Sequence, residues 1–336
     1  MDKVANLSAK QRSELFEQTA VNRGFHPAIA EKDFWVCWSL MKLFDAEELD
    51  GKLVFKGGTS LSKAHHLIER FSEDIDLVLN WELLGYGKKG DDPWQEIGSN
   101  TKLDKFNVAF NERAATYIEA TLLPIVQSLL ASCPDVRAHV SSDDPHVIAI
   151  HYPAAFALKA LRPEVKLEIG PLASWVPSAE FAVRSFAAEE FPKLFARPEC
   201  TVTAITAERT FWEKATILHQ QAHRATDMLP GYSRHYYDLY QLSRTVVADN
   251  ALGNLQLLAD VVEFKQRFYR SKWAHYELAK PGTFRLLPTT EGDRSLRNDY
   301  RMMEPMFFKT PPQWDGIIGG LELLEKRINQ LADKAD

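Results

Sequence analysis

Apolar positions recur at helical spacing between residues 8 and 45. In "AIAEKDFWVCWSLMKLF", Ile29, Phe34, Trp35, Trp38, Leu40 and Leu43 follow the period of a helix. "KLVFKGG" (52–58) is a short apolar run stopped by glycines and predicts a strand. "TSLSKAHHLIER" places Leu61, Ala64, Leu67 and Ile68 on one face, which predicts a helix capped by Thr59 or Ser60. "DIDLVL" (74–79) alternates, with Ile75, Leu77 and Leu79 facing one way. The Gly-rich, charged run 85–102 reads as a surface loop, and a long helix is predicted over 104–131. Strands are predicted in "HVIAIHY" (146–152), "EVKLEIG" (164–170) and "EFAVRSFA" (180–187). "CTVTAIT" (200–206) reads either as one more short strand or as an extended linker. From Thr206 onward the pattern is mostly helical. These elements predict an α/β (α+β), bilobed protein. Residues 1–198 would form a lobe with a mixed sheet and flanking helices, and 199–336 a mostly helical lobe. The softest boundary lies near "FPKLFARPEC" (191–200).

Composition narrows the class. The chain has 336 residues, 45% of them hydrophobic and 26% charged, an ordinary globular balance. A net charge of −6 gives no global basic field for nucleic acid, although a local basic cleft stays open. Cys37, Cys133 and Cys200 are isolated, which predicts buried thiols in a reducing compartment. The N-terminus lacks an apolar signal core, and no stretch has the length and apolarity of a membrane span. The expected location is cytoplasmic.

The candidate chemistry starts at Asp74 and Asp76. In a strand, residues i and i+2 share a face, so the two carboxylates project together while Ile75 and Leu77 enter the core. This suits Mg²⁺, which takes oxygen ligands from one or two carboxylates and substrate phosphates. Glu168 repeats the pattern of an acid between apolar neighbours, Leu167 and Ile169. If the two strands are neighbours, three carboxylates converge, enough to hold two metals around a transferring group. Gly57 and Gly58 end one strand and open a helix, whose free N–H groups suit phosphates. Thr59 and Ser60 add hydroxyl donors there.

Each feature has an ordinary explanation. An isolated D-x-D is usually a solvated strand end, a Gly-Gly is usually a turn, and Glu168 could be an exposed strand residue. The conjunction is more specific. "GGTSLSK" lacks the spacing of a nucleotide-binding P-loop. A glycosyltransferase also uses D-x-D with a metal but has no need of the Gly-Gly helix start.

Gly57-Gly58, Asp74-Ile-Asp76 and Leu167-Glu168-Ile169 resemble the signature of the polymerase-β-type nucleotidyltransferase superfamily. The fuller resemblance is to the AbiEii/AbiGii toxin family within it. "FKGGTSLSKAHHLIERFSEDIDL" resembles its first motif. "EKDFWV" (31–36), "AERTFWEKATILH" (207–219), "SRHYYDLYQL" (233–242) and "LRNDYRMMEPMFF" (296–308) resemble its other blocks. The run from Gly58 to Asp74 is longer than in many members, which a longer first helix would absorb.

The resemblance implies a nucleotidyltransferase-type sheet, with a helical lobe forming the other wall of a cleft. It carries roles onto Lys214 and Asp238. Lys214 would bind the nucleoside triphosphate (NTP) and steady the leaving pyrophosphate, and Asp238 would orient Lys214 or a metal-bound water. Taken alone, Lys214 reads equally as a surface lysine and Asp238 as a salt-bridge partner. The expected site is then catalytic Asp74, Asp76, Glu168, Lys214 and Asp238, with the first three also holding Mg²⁺. Gly57, Gly58, Thr59, Ser60, Ser72 and Lys214 would bind nucleotide. Ser72, two residues before Asp74, is also a position where a phosphate would compete with the nucleotide. Lys32 and Asp33 are candidates to reach the cleft, while Phe34 and Trp35 pack in the core. His219 and His223 have the i, i+4 spacing of a zinc pair but lack the accompanying glutamate.

The implied activity is Mg²⁺-dependent transfer of a nucleoside monophosphate from an NTP to an acceptor, with tRNA 3′ ends as one acceptor. The implied setting is a type IV toxin of a toxin–antitoxin or phage-defence system, with a cognate antitoxin as partner. Two other classes stay open: a metal-dependent glycosyl- or phosphotransferase, and a non-catalytic binding protein on the same fold.

Overall fold

In a computed structural model of the protein, the described residues are 1–87, 94, 99–159, 161–171, 174–224, 228 and 230–332. They group into two compact units. One comprises Met1–His65 and Phe71–Ile205, the other His66–Arg70 and Thr206–Asp336.

The first unit is α/β. Its strands are β1 (Leu53–Lys56), β2 (Ile75–Leu79), β3 (Arg137–Val140), β4 (Val147–His151), β5 (Glu164–Gly170), β6 (Ser178–Arg184) and β7 (Glu199–Ile205). They form one mixed sheet in the order β3-β4-β5-β2-β1-β7-β6. β2 runs antiparallel to β1 and parallel to β5, while β1 runs parallel to β7. The segment 200–206 is therefore mostly strand, paired with β6 along its length. β3, an edge strand, has no counterpart among the predicted elements. Its "RAHV" carries too few apolar residues to announce a strand.

The helices of this unit are α1 (Asp2–Ala5), α2 (Ala9–Arg23), α3 (Pro27–Phe44), α4 (Gly57–Lys63), α5 (Asn100–Tyr117), α6 (Leu123–Leu130) and α7 (Phe186–Glu190). A π-helical turn, Ile118–Leu122, joins α5 to α6, close to the single long helix predicted. Of the predicted surface loop 85–102, residues 88–93 and 95–98 lie outside the described residues. α2 starts with a capping box between Ser8 and Gln11. α3 starts at Pro27 behind His26, whose ring accepts the Ala28 N–H. Every residue of α3 from Ala28 to Met41 is buried, and the helix packs on β5 and β7. Phe34 and Trp35 lie in the core as expected.

The segment "TSLSKAHHLIER" departs from the expected single helix. α4 ends at Lys63 and does not run on through Arg70. His66 adopts a left-handed backbone with φ of 54°, which a continuing helix excludes. The segment after it joins the second unit. There the Phe308 N–H donates to the Glu69 carbonyl at 3.1 Å, and Arg70 forms an isolated β-bridge with Phe307. Tertiary pairing overrides the apolar spacing of Leu67 and Ile68. The long run from Gly58 to Asp74 is absorbed by an extended link instead of a longer helix.

The second unit is helical, as predicted from Thr206 onward. It contains α8 (Ala207–Ala222), α9 (Ser233–Ser243), α10 (Val246–Leu252), α11 (Leu255–Phe268), α12 (Thr290–Met302) and α13 (Trp314–Asn329). Phe211, Ala215 and Leu218 of α8 are fully buried. Asp299 of α12 caps the start of α9, accepting the N–H groups of Gly231 at 2.7 Å and Ser233 at 2.9 Å. The blocks "SRHYYD" and "LRNDYR" are thus one packing unit. α13 lies close on α9: a Cβ at Gly320 would stand 2.5 Å from the Tyr240 ring.

Cys37, Cys133 and Cys200 are buried free thiols. Among the described residues, no helix is long and apolar enough to cross a membrane.

Candidate active site

The carboxylates of the first unit are set by strand register. β2 pairs with β5 so that Asp76 stands opposite Glu168 and Ile75 opposite Leu167. Partners in register share a sheet face, so Asp76 and Glu168 project together while Ile75, Leu77, Leu167 and Ile169 are buried on the other face. Asp74 immediately precedes β2, two residues from Asp76. On the other side, Lys56 of β1 stands opposite Asp76. Asp74 and Asp76 are half-buried and Glu168 is exposed. Burial first, and the neighbouring Glu73 carboxylate second, push the Asp74 carboxyl up to about 6, against the pull of Lys32 and Lys166.

Gly57 belongs to this arrangement for a steric reason. Its φ of 78° lies in the left-handed region, and a Cβ there would stand 1.9 Å from Asp76 Oδ2. The chain can bring Asp76 against the start of α4 only because no side chain is present. Thr59 and Ser60 are buried, and their hydroxyls serve the fold. Thr59 donates to the Asp74 carbonyl, fixing the residue ahead of β2, and Ser60 donates to the Gly57 carbonyl at 3.0 Å. Ser72 is half-buried.

Among the described residues, no three His, Cys, Asp or Glu side chains are grouped closely enough to hold a metal ion. The register therefore lines the carboxylates along one strip of sheet without closing them into a preformed three-ligand cage. The donor set still fits Mg²⁺. It is all oxygen, and that ion needs only one or two carboxylates when substrate phosphates and water complete its shell.

Lys214 and Asp238 lie in the second unit, where they meet directly. Lys214 Nζ stands 2.7 Å from Asp238 Oδ2. Arg70 grips the same carboxylate with two hydrogen bonds of 2.7 Å, from Nε to Oδ1 and from a terminal guanidinium nitrogen to Oδ2. Asp238 is 0% exposed, Arg70 5% and Lys214 6%. Burial alone would raise the Asp238 carboxyl, but Arg70 and Lys214 outweigh it and hold the group well below its ordinary value. Burial lowers the Lys214 ammonium from its ordinary value, against the pull of Asp238. His235 is also lowered, by burial and then by Lys214 and Arg234.

Arg70 was not among the predicted site residues. Its partner is distant in sequence, and it sits where the pattern predicts the end of a helix. Lys32 and Asp33 are buried and bound to other residues of the first unit. His219 and His223 form no metal pair: His219 accepts the Arg285 N–H at Nδ1 and lies 3.0 Å from the His275 carbonyl at Nε2.

The family model for the nucleotidyl transferase AbiEii toxin of type IV toxin–antitoxin systems matches residues 39–319. The chain belongs to this family. The match spans most of both units and begins just after the "EKDFWV" block. Among solved structures, MenT4, a nucleotidyltransferase toxin from Mycobacterium tuberculosis, is 19% identical, covers 95% of this chain and 98% of its own, and superposes with a TM-score of 0.43. JHP933 from Helicobacter pylori is 14% identical, covers 91% of this chain and 96% of its own, with a TM-score of 0.39. No curated protein matches the sequence. Membership makes the chain a nucleotidyltransferase toxin by family, with a nucleotide as substrate and an antitoxin as counterpart.

Proposed function

We propose that this family member transfers a nucleoside monophosphate from an NTP to the 3′ end of an RNA, with tRNA as the expected acceptor, and releases pyrophosphate. The reading is supported by the register that sets Asp76 opposite Glu168, with Gly57 kept bare against Asp76. In the reaction an acceptor hydroxyl oxygen attacks the α-phosphorus, the bond from that phosphorus to the bridging oxygen breaks, and pyrophosphate leaves.

Asp74, Asp76 and Glu168 would hold Mg²⁺, which when bound neutralises phosphate charge and orients the phosphates for in-line displacement. Glu168, the most exposed of the three, is assigned to take the proton of the attacking hydroxyl. The bare Gly57 keeps Asp76 close to the start of α4. Lys214 is assigned to the negative charge of the triphosphate and leaving pyrophosphate, and Asp238 with Arg70 to fixing the position of its ammonium. Gly57, Gly58, Thr59, Ser60 and Ser72 are assigned to the nucleotide's surroundings. For Thr59 and Ser60 the contribution is to hold backbone in place, since their hydroxyls are engaged. The setting is a cytoplasmic toxin–antitoxin pair that acts in phage defence.

The test is incubation with total cellular RNA and each of the four labelled NTPs in turn, with pyrophosphate release followed. Label on RNA in the presence of Mg²⁺, abolished in Asp76→Asn, supports the reading. Label transfer to sugar or protein only, or turnover unchanged in Asp76→Asn, overturns it.

A further inference from the structure

The "EKDFWV" block opens the central helix α3, yet its three charged side chains are not at the surface. Glu31, Lys32 and Asp33 are 2%, 1% and 1% exposed. Each is bound to a different segment of the first unit. Glu31 accepts the N–H groups of Ala155 at 2.8 Å and Phe156 at 3.1 Å. Asp33 accepts the Phe186 N–H at 2.6 Å and pairs at 2.7 Å with Lys63, the last residue of α4. Lys32 pairs with the Glu73 carboxylate and donates to the Arg162 carbonyl at 3.2 Å. Burying an ammonium is costly unless its partners are well placed, and an apolar side chain would fill the same space without that cost.

The partners of Lys32 share one feature. Glu73 directly precedes Asp74, and Arg162 lies two residues before β5, the strand of Glu168. β2 and β5 are parallel neighbours, so the chain enters both from the same end of the sheet. A single ammonium, on a helix buried on all sides, thus ties together the approaches to the two carboxylate strands. We propose that Lys32 is a positioning residue. Through Glu73 and the Arg162 carbonyl, it sets how Asp74 and Asp76 stand relative to Glu168, without itself touching substrate. This rests on the reading of those carboxylates as the Mg²⁺ and nucleotidyl-transfer site.

The test compares the wild type, Lys32→Met, Lys32→Arg and the double variant Lys32→Met/Glu73→Met, which removes both charges and keeps the fold if the single variant does not. Three quantities are measured: the thermal midpoint, its rise on adding Mg²⁺ alone, and kcat and KM for the NTP by pyrophosphate release. Supporting groups behind metal ligands typically matter about 10- to 100-fold. The double variant is therefore expected to keep a midpoint near the wild type, to lose about 10- to 100-fold in kcat with little change in KM, and to need about tenfold more Mg²⁺ for the same midpoint rise. Lys32→Arg, which retains the charge, is expected to recover part of both. A double variant with wild-type kcat and wild-type Mg²⁺ response overturns the proposal. If the wild type turns over no NTP, the functional reading fails, and the Mg²⁺-induced rise still decides for Lys32. Equal rises in wild type and double variant, or none in either, overturn the positioning role.

Discussion

One acidic cluster in each unit meets different surroundings. In the sheet unit, Asp74, Asp76 and Glu168 gather along one strip, with Glu73 adding a further negative charge, and Asp74 is pushed up to about 6. In the helical unit, Asp238 is more deeply buried but is gripped by Arg70 and Lys214 and held well below its ordinary value. In the first arrangement burial and the neighbouring Glu73 carboxylate disfavour the charged form of Asp74, which a bound cation would favour. The second pairs its carboxylate with the chain's own cations and keeps one positive charge in excess. A buried carboxylate gripped by two cations, as Asp238 is, holds those neighbours in position.

That contrast can be broken by substitutions. The largest expected effect is at Asp76: Asp76→Asn should lower pyrophosphate release by roughly two to three orders of magnitude, and turnover unchanged in that variant would remove Asp76 from the reaction. Asp238→Asn should lose about 3–5 kcal/mol in urea unfolding because Arg70 and Lys214 are left buried with a neutral partner. Replacing Arg70, Lys214 and Asp238 together by Met, Met and Leu should cost less than that single change.

Gly57→Ala tests the steric side of the sheet site. The strained φ and the collision with Asp76 should cost about 1–3 kcal/mol and lower turnover along with it, whereas Gly320→Ala should lower stability alone. The smallest expected effect is a pH response of the helical unit. His219 is neutral, its Nδ1 already receiving the Arg285 N–H, and burial pushes it down to about 4 from an ordinary 6.5. Its folded form binds a proton later than the unfolded chain does. Its contribution is therefore intact above about 6.5 and is lost as pH falls toward about 4. Urea midpoints taken across that window should fall in the wild type and fall less in His219→Gln.

Much of the sheet site was legible in the chain. Alternation placed Asp74 and Asp76 on one face, and an acid between two apolar residues marked Glu168 as their counterpart. That β2 and β5 are neighbours with Asp76 opposite Glu168 was not legible, because strand pairing depends on contacts far apart in sequence. Lys214 and Asp238 were reached through the family blocks. Arg70, which completes their cluster, was hidden inside a segment whose apolar spacing suggested a continuing helix.

The sequence by itself determined local items: most of the segments that are strands or helices, where a glycine pair opens a helix, and which residue types can hold a cation. These follow from periodicity and side-chain chemistry, which act over a few residues. Only the tertiary structure decided that Gly57 is bare because Asp76 occupies its Cβ position, that α4 stops at Lys63, and that residues 66–70 join the helical unit. It also decided that the charges of α3 face inward, bound to Glu73, Lys63 and backbone. Those outcomes rest on partners tens to hundreds of residues away. Whether a charge is costly, paired or free is set by such partners and not by its neighbours in the chain.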